Sequence, residues 1–303
     1  MRAVVTGAAG FVGRHLVAHL QACGDDVAAL DREGEHPVDV TDADSVRDTM
    51  VSLHPEVVFH LAAVSHIGES WDEPARVFRV NAEGTLLLLR ACREAAVERV
   101  LVVASADVYG AVAASDLPIA EDAPIRPLTP YGASKASADL LALQAFLGDD
   151  LATLRVRAFN HTGPGQGAGF LVPGLAARIA RAERDDHGEV PIGSVDPVRD
   201  VSDVRDVVRA YRLLAKHGEP GEAYNVCSGT GVSVGEIAER LLRLSDRDLH
   251  LGVDPALVRP VEVPRLIGDP AKLRAATGWE PVVPLETTIA DVLAEARAAV
   301  RRE

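Results

Sequence analysis

Tyr131, Lys135 and Ser105 are the residues whose types and spacing carry the most chemistry. Tyr131 and Lys135 stand four apart in Tyr131-Gly132-Ala133-Ser134-Lys135, so on a helix they share one face. An ammonium beside a phenol favours the phenolate and lowers its pKa towards the range of a working acid or base. Ser105 follows the apolar run 100–103, which reads as a strand. The C-terminal ends of parallel strands face the ligand crevice, so its hydroxyl can reach a reacting oxygen there. The Y-x-x-x-K spacing alone also occurs on surface helices without a role. Here it needs a partner that moves electrons, and the first residues of the chain supply a candidate.

Val4-Val5-Thr6-Gly7-Ala8-Ala9-Gly10-Phe11-Val12-Gly13 reads as a strand, a glycine loop and the start of a helix. Gly7 allows the tight turn, Gly10 lets backbone approach a pyrophosphate, and Gly13 lets helix and strand pack closely. The helix N-terminus then offers free N–H groups to phosphates. A second strand, Val27-Ala28-Ala29-Leu30-Asp31, ends in an acid 18 residues after Gly13. A carboxylate there accepts from ribose hydroxyls and repels a 2′-phosphate, which favours NAD. Arg32 follows at once and can pair with a 2′-phosphate, so NADP stays open. Asp39-Val40 lies where an adenine would be held, although Asp39 also reads as a turn acid ahead of Thr41-Asp42.

The elements that must position these groups alternate. Strands are expected near 2–6, 26–31, 57–61, 99–104 and 151–156, with helices near 11–22, 42–53, 74–96 and 131–147. That is an α/β chain with a doubly wound parallel sheet. From about residue 160 the pattern breaks into Gly/Pro loops and shorter elements. The expected division is a dinucleotide domain over 1–160 and a smaller substrate lobe over 161–303, with some segments returning to the first sheet. A helix is expected over 203–216, a strand over 223–226 and a closing helix over 285–302.

Net charge is −14, from 31 basic and 45 acidic residues, which argues against nucleic-acid or anionic-membrane partners. No apolar run reaches the length of a membrane span. Cys23, Cys92 and Cys227 are scattered, with no C-x-x-C, and the chain opens directly on the strand. A reduced cytoplasm fits that pattern. His15 and His19 share a helix face but lack the acids of a metal site, so both are read as packing or surface residues and no metal is expected. The Glu183 to Asp186 cluster reads as a solvated helix end.

Together with His60-Leu61-Ala62-Ala63, Asn81-Ala82-Glu83-Gly84-Thr85 and Val108-Tyr109-Gly110, these motifs resemble the extended short-chain dehydrogenase/reductase family acting on nucleotide sugars, over essentially the whole chain. The resemblance implies that Tyr131 is the acid/base, that Lys135 orients the nicotinamide ribose, and that Ser105 holds the substrate oxygen. It implies dinucleotide contacts from Gly7, Gly10, Phe11, Val12, Gly13, Asp31, Arg32, Asp39, Val40, Leu61, Ala62, Ala63, Tyr131, Lys135 and Phe159. Substrate contacts are implied for Ser65, His66, Ser105, Ala106, Asn160, Val172, Arg199, Arg259 and Glu262, with the two arginines on a diphosphate. His161, beside Asn160, is a weaker candidate. Ser105-Ala106-Asp107 bears on the reaction. Water-eliminating relatives carry a Glu where this chain has Asp107, and Ala106 cannot donate a proton. Asp107 therefore reads either as a catalytic base or as a turn acid. The branch most similar reduces the C4 ketone of a GDP-linked 4-keto-6-deoxy-mannose with NAD(P)H; a 4,6-dehydratase or 4-epimerase is the alternative. A homodimer through the helices at 74–96 and 131–147 is also implied.

Overall fold

The computed structural model describes residues 1–258 and 263–302. The first sheet has seven strands, all parallel: β1 (Arg2–Thr6), β2 (Asp26–Asp31), β3 (His36–Pro37), β4 (Val57–His60), β5 (Arg99–Val103), β6 (Thr153–Ala158) and β10 (Ala223–Val226). Their order is β10-β6-β5-β4-β1-β2-β3. Successive side chains leave a strand on opposite faces, so strands covered on both sides must be apolar throughout. In β1, Ala3 and Val5 enter one core while Val4 enters the other. The first core is closed by α1 (Phe11–Ala22), α8 (Val204–His217) and α10 (Ala271–Thr277), with Trp279 fully buried. The second is closed by α2 (Ala43–Leu53), α5 (Gly84–Glu94) and α6 (Pro130–Asp149).

Strand order reverses at β1. The chain builds outward through β2 and β3, then crosses to β4, so the crevice between the C-terminal ends of β1 and β4 is the ligand site of such a sheet.

A short helix, α3 (Ile67–Asp72), precedes residue 74, and two local expectations are corrected. The single helix expected over 74–96 is α4 (Pro74–Phe78), a π-helical turn over Arg79–Glu83, and α5. The π turn places Asn81 inward, where Oδ1 accepts from Val64 N at 2.8 Å and Nδ2 donates to Val64 O at 3.0 Å and to Ser134 Oγ at 2.9 Å. The strand expected from 151 begins at Thr153, because Asp150 has left-handed backbone and still ends α6.

The second lobe holds β7 (Asn160–Thr162), α7 (Leu171–Asp185), β8 (Glu189–Ile192), β9 (Val198–Asp203), β11 (Gly231–Ser233), α9 (Val234–Leu242), β12 (His250–Val253), β13 (Arg265–Leu266) and α11 (Leu285–Val300). β9 pairs with β7, β11 and β13, and β8 with β12. The core here is α7, α9 and α11 over these strands. The acidic end of α7 is not purely solvated, since Glu183 pairs with Arg297 of α11 at 2.6 and 2.8 Å.

Candidate functional site

A cavity of about 1570 Å³ opens over the C-terminal ends of β1, β2, β4 and β5 and runs on between the lobes. The glycine loop forms one wall. Gly7 has φ +69°, and a Cβ there would stand 2.8 Å from Ala62 N. A Cβ on Gly13 would overlap the Gly7 carbonyl oxygen. Backbone therefore meets backbone here, and α1 is aimed into the cavity with a glycine N-cap and no side-chain cap. Those features fit a dinucleotide pyrophosphate. Phe11, Val12, Leu61, Ala62, Ala63 and Phe159 all line this region, as do Asp31, Arg32, Asp39 and Val40.

Asp31 takes Ala9 N at 2.9 Å on one oxygen and Arg32 N at 2.8 Å on the other. Its carboxylate thus stays at the rim of the loop. Asp39 accepts from Thr41 N and Thr41 Oγ1 at 2.9 and 2.7 Å, and these bonds hold its carboxyl below the usual range. Asp39 is therefore a turn acid as well as a cavity residue.

The catalytic candidates lie together. Thr129 caps α6 by accepting from Gly132 N at 2.9 Å, and Pro130 sits at the first helical position. That fixes where the helix begins, putting Tyr131 in its first turn and Lys135 one turn on, both buried at the cavity wall. Ser105 ends the segment after β5; its hydroxyl donates to Asp107 Oδ2 at 2.9 Å and accepts from Asp107 N at 3.2 Å. Because the carboxylate only accepts, the serine proton points to Asp107 and its lone pair is left for a neighbouring donor.

Electrostatics depart from the expected pattern. Burial first, and the charge of Asp107 second, push the Tyr131 phenol above its usual range, while a hydrogen bond with Ser105 pulls it down. Lys135 does not lower it here; its ammonium instead donates to Val103 O at 2.8 Å, and burial brings its pKa to about 8. Beneath it, His60 binds the Thr6 hydroxyl at 2.8 Å and the Thr85 hydroxyl at 3.0 Å. Burial, then the charge of Lys135, lower it to about 3, so it is neutral.

A buried network fixes α6 against the sheet. Arg157 donates to Asp139 at 3.0 and 3.1 Å and to the Tyr109 hydroxyl at 3.0 Å, and Tyr109 donates to Asn225 at 2.7 Å. Asp139 lies one turn beyond Lys135, and Tyr109 follows the turn that holds Ser105 and Asp107. Removing one member of such a buried pair costs about 3–5 kcal/mol.

Ser65, His66, Ala106, Asn160 and Arg199 line the cavity. The His66 ring meets Phe170 edge-on at 5.9 Å, across the two lobes. His161 stacks over Phe11 at 6.3 Å. Val172 does not face the cavity. On α7, residues 172, 175, 176 and 179 point into the lobe core, and 171, 174, 177, 178 and 181 face the cavity. Arg259 and Glu262 lie outside the described residues. The sequence reading missed Arg14, Phe170, Gln166, Arg178 and Arg181, all of which line the cavity. The alternation of arginine with small residues along 174–181 was the available signal for the last two. Among the described residues no three His, Cys, Asp or Glu side chains could hold a metal, and no helix is long and apolar enough to cross a membrane.

Comparison with known proteins agrees with this geometry. The chain is 38% identical over 304 residues to GDP-6-deoxy-D-mannose reductase of Pseudomonas aeruginosa, covering 100% of this chain and 99% of that one. It is 30% identical over 285 residues to GDP-6-deoxy-D-talose 4-dehydrogenase of Aggregatibacter actinomycetemcomitans, covering 92% of each. Among solved structures it resembles RMD from Pseudomonas aeruginosa complexed with NADPH, with a TM-score of 0.90, 35% identity and coverage of 99% and 100%. The GDP-mannose 4,6 dehydratase family model matches residues 4–292. With Tyr131, Lys135 and Ser105 gathered beside a dinucleotide-shaped glycine loop, the chain belongs to the GDP-mannose 4,6 dehydratase family, a nucleotide-sugar branch of the short-chain dehydrogenases/reductases.

Proposed function

We propose that the protein reduces the C4 ketone of GDP-4-dehydro-6-deoxy-D-mannose with NAD(P)H, giving GDP-D-rhamnose. The observation that carries this reading is the Tyr131–Ser105–Asp107 arrangement. One phenol, kept protonated by burial and by Asp107, is placed to give a proton, and Ala106 offers none. When bound, the reduced dinucleotide supplies the hydride. Tyr131 protonates the oxygen formed at C4. Ser105, hydrogen-bonded to Asp107 and next to the phenol, holds the substrate oxygen beside Tyr131. Lys135, whose ammonium donates to Val103 O beside Tyr131, would orient the nicotinamide ribose of the bound dinucleotide. Asn160 and Arg199, both at the cavity wall, hold the sugar diphosphate.

Mixing the protein with the keto sugar and NADH or NADPH tests this directly. Oxidation of the reduced cofactor is expected and also reveals which cofactor is preferred at Asp31 and Arg32. Conversion of GDP-mannose to a keto sugar, with no net oxidation, would instead support the dehydratase reading and make Asp107 its base.

We further infer a homodimer. Leu140 and Leu147 of α6 are 52% and 71% exposed, and Phe78 of α4, which packs on α6, is 38% exposed. A second copy of the same helices would cover them; sedimentation should give twice the mass of 32.1 kDa. Free thiols at Cys92 and Cys227, both buried, favour a reducing compartment such as the cytoplasm.

A further inference from the structure

Arg178 lies on the cavity face of α7, and its Nε is buried without a hydrogen-bond partner. Burial lowers its pKa, and Asp254 is the carboxylate whose charge opposes that. The Asp254 side chain is turned to its own loop, where it accepts from Ala256 N at 2.9 Å. A guanidinium with an unmet N–H at a cavity wall is costly unless a ligand supplies the acceptor.

Its place in the cavity says which part of the ligand that is. β7 and β9 pair with Asn160 opposite Val201. Arg199 stands two residues back along β9, about 7 Å at the usual strand rise. Pro197, Ser194, Gly193 and Arg178 line the same cavity as Arg199, and Asp254, whose charge reaches Arg178, donates its backbone N–H to Ile192 O, next to Gly193, at 2.8 Å. A nucleotide sugar with its reacting carbon at Tyr131 thus brings its diphosphate to Arg199 and its base to the Gly193–Arg178 end. We propose that Arg178 selects the base, its guanidinium fork donating to the O6 and N7 acceptors of guanine. Adenine carries an amino donor in place of O6, and pyrimidines have no such acceptor pair, so neither satisfies the fork. This assignment rests on the nucleotide-sugar reading of the site.

The test is calorimetric titration of the enzyme, saturated with oxidised dinucleotide, with GDP, UDP and ADP. The wild type should bind GDP at least about tenfold tighter than the other two. Arg178→Met should weaken GDP about 10- to 100-fold and leave UDP within about twofold. Arg178→Lys, which keeps the charge and the fold but not the fork, should lose most of the preference. Equal weakening of GDP and UDP would place Arg178 on the diphosphate and overturn the proposal, as would unchanged GDP binding in both variants. The titration needs no turnover. An inert enzyme with Arg178-dependent GDP preference would sink the reductase reading alone. Equal reduction of GDP- and dTDP-linked keto sugars would sink this proposal alone.

Discussion

Arg14 offers a sharp test of how the two lobes are held in register. Its Nη1 donates to Ala9 O at 3.0 Å in the glycine loop, and its Nη2 donates to Gly165 O at 3.1 Å in the loop before α7. The neighbouring His15 ring binds Pro164 O at 2.8 Å, and Gly165 N donates to Glu295 at 2.6 Å. One helical turn therefore ties the dinucleotide wall to the substrate wall. Arg14→Ala removes two charge-assisted bonds. Such bonds contribute about 1.5–3 kcal/mol when buried; both of these are exposed, so about 0.5 kcal/mol each is the better figure. The sum, about 1 kcal/mol, is about fivefold in an equilibrium constant. His15 and Glu295 still hold the loop, so a larger collapse is not expected. Steady-state kinetics should show KM for the keto sugar raised about fivefold, with kcat within about twofold. Dinucleotide dissociation, followed by cofactor fluorescence, should also stay within about twofold. A large rise in the dinucleotide constant with an unchanged sugar KM would refute the reasoning and make Arg14 a phosphate ligand.

Other perturbations follow from the same geometry. Tyr131→Phe should lower kcat about 10²- to 10⁴-fold with dinucleotide binding retained, because the ring stays and only the proton donor goes; near-normal turnover would remove Tyr131 from the chemistry. Lys135 titrates at about 8 in the fold against 10.5 ordinarily, so its contribution to stability is present above pH 10.5 and is lost as pH falls through 8. Lys135→Met should accordingly be more stable than wild type at pH 7, by up to about 3 kcal/mol, with the difference vanishing by pH 10.5. Urea titrations at both pH values measure this, and a constant difference would contradict it. Gly13→Ala should abolish dinucleotide binding or folding, since its methyl overlaps the Gly7 carbonyl; a variant that binds normally would mean that α1 can move away from the loop.

Much of the first sheet could be read in advance because strands buried on both faces are unbroken apolar runs rich in valine, as in Val57-Val58-Phe59 and Val100-Leu101-Val102-Val103. Tyr131, Lys135 and Ser105 were readable because local spacing fixes them: a helix turn for the pair, a strand end for the serine. The misses have physical causes. Nothing local marks the π turn that sends Asn81 inward, since its reward is Val64 and Ser134, 17 and 53 residues away. Val172 reads as a substrate residue only if the rotation of α7 is unknown, and one position back, at Leu171, core gives way to cavity. Arg178 went unread for the same reason. The expected lowering of the Tyr131 phenol by Lys135 failed because spacing says nothing about where an ammonium points, and Val103 O captures it.

The return of β10 to the first sheet reaches into how the molecule is made. Ala223 lies opposite Arg155, and between them the chain builds β7, α7, β8, β9 and α8. A ribosome delivers this edge strand long after β6, and Trp279, which donates to Asp206 O at 2.9 Å beneath α8, later still. The β6 edge of the nascent dinucleotide half must therefore stay unpaired until β10, at Ala223–Val226, has emerged. Its two lobes are finished together, and a nick between 164 and 170 would leave two fragments that each lack part of the first sheet.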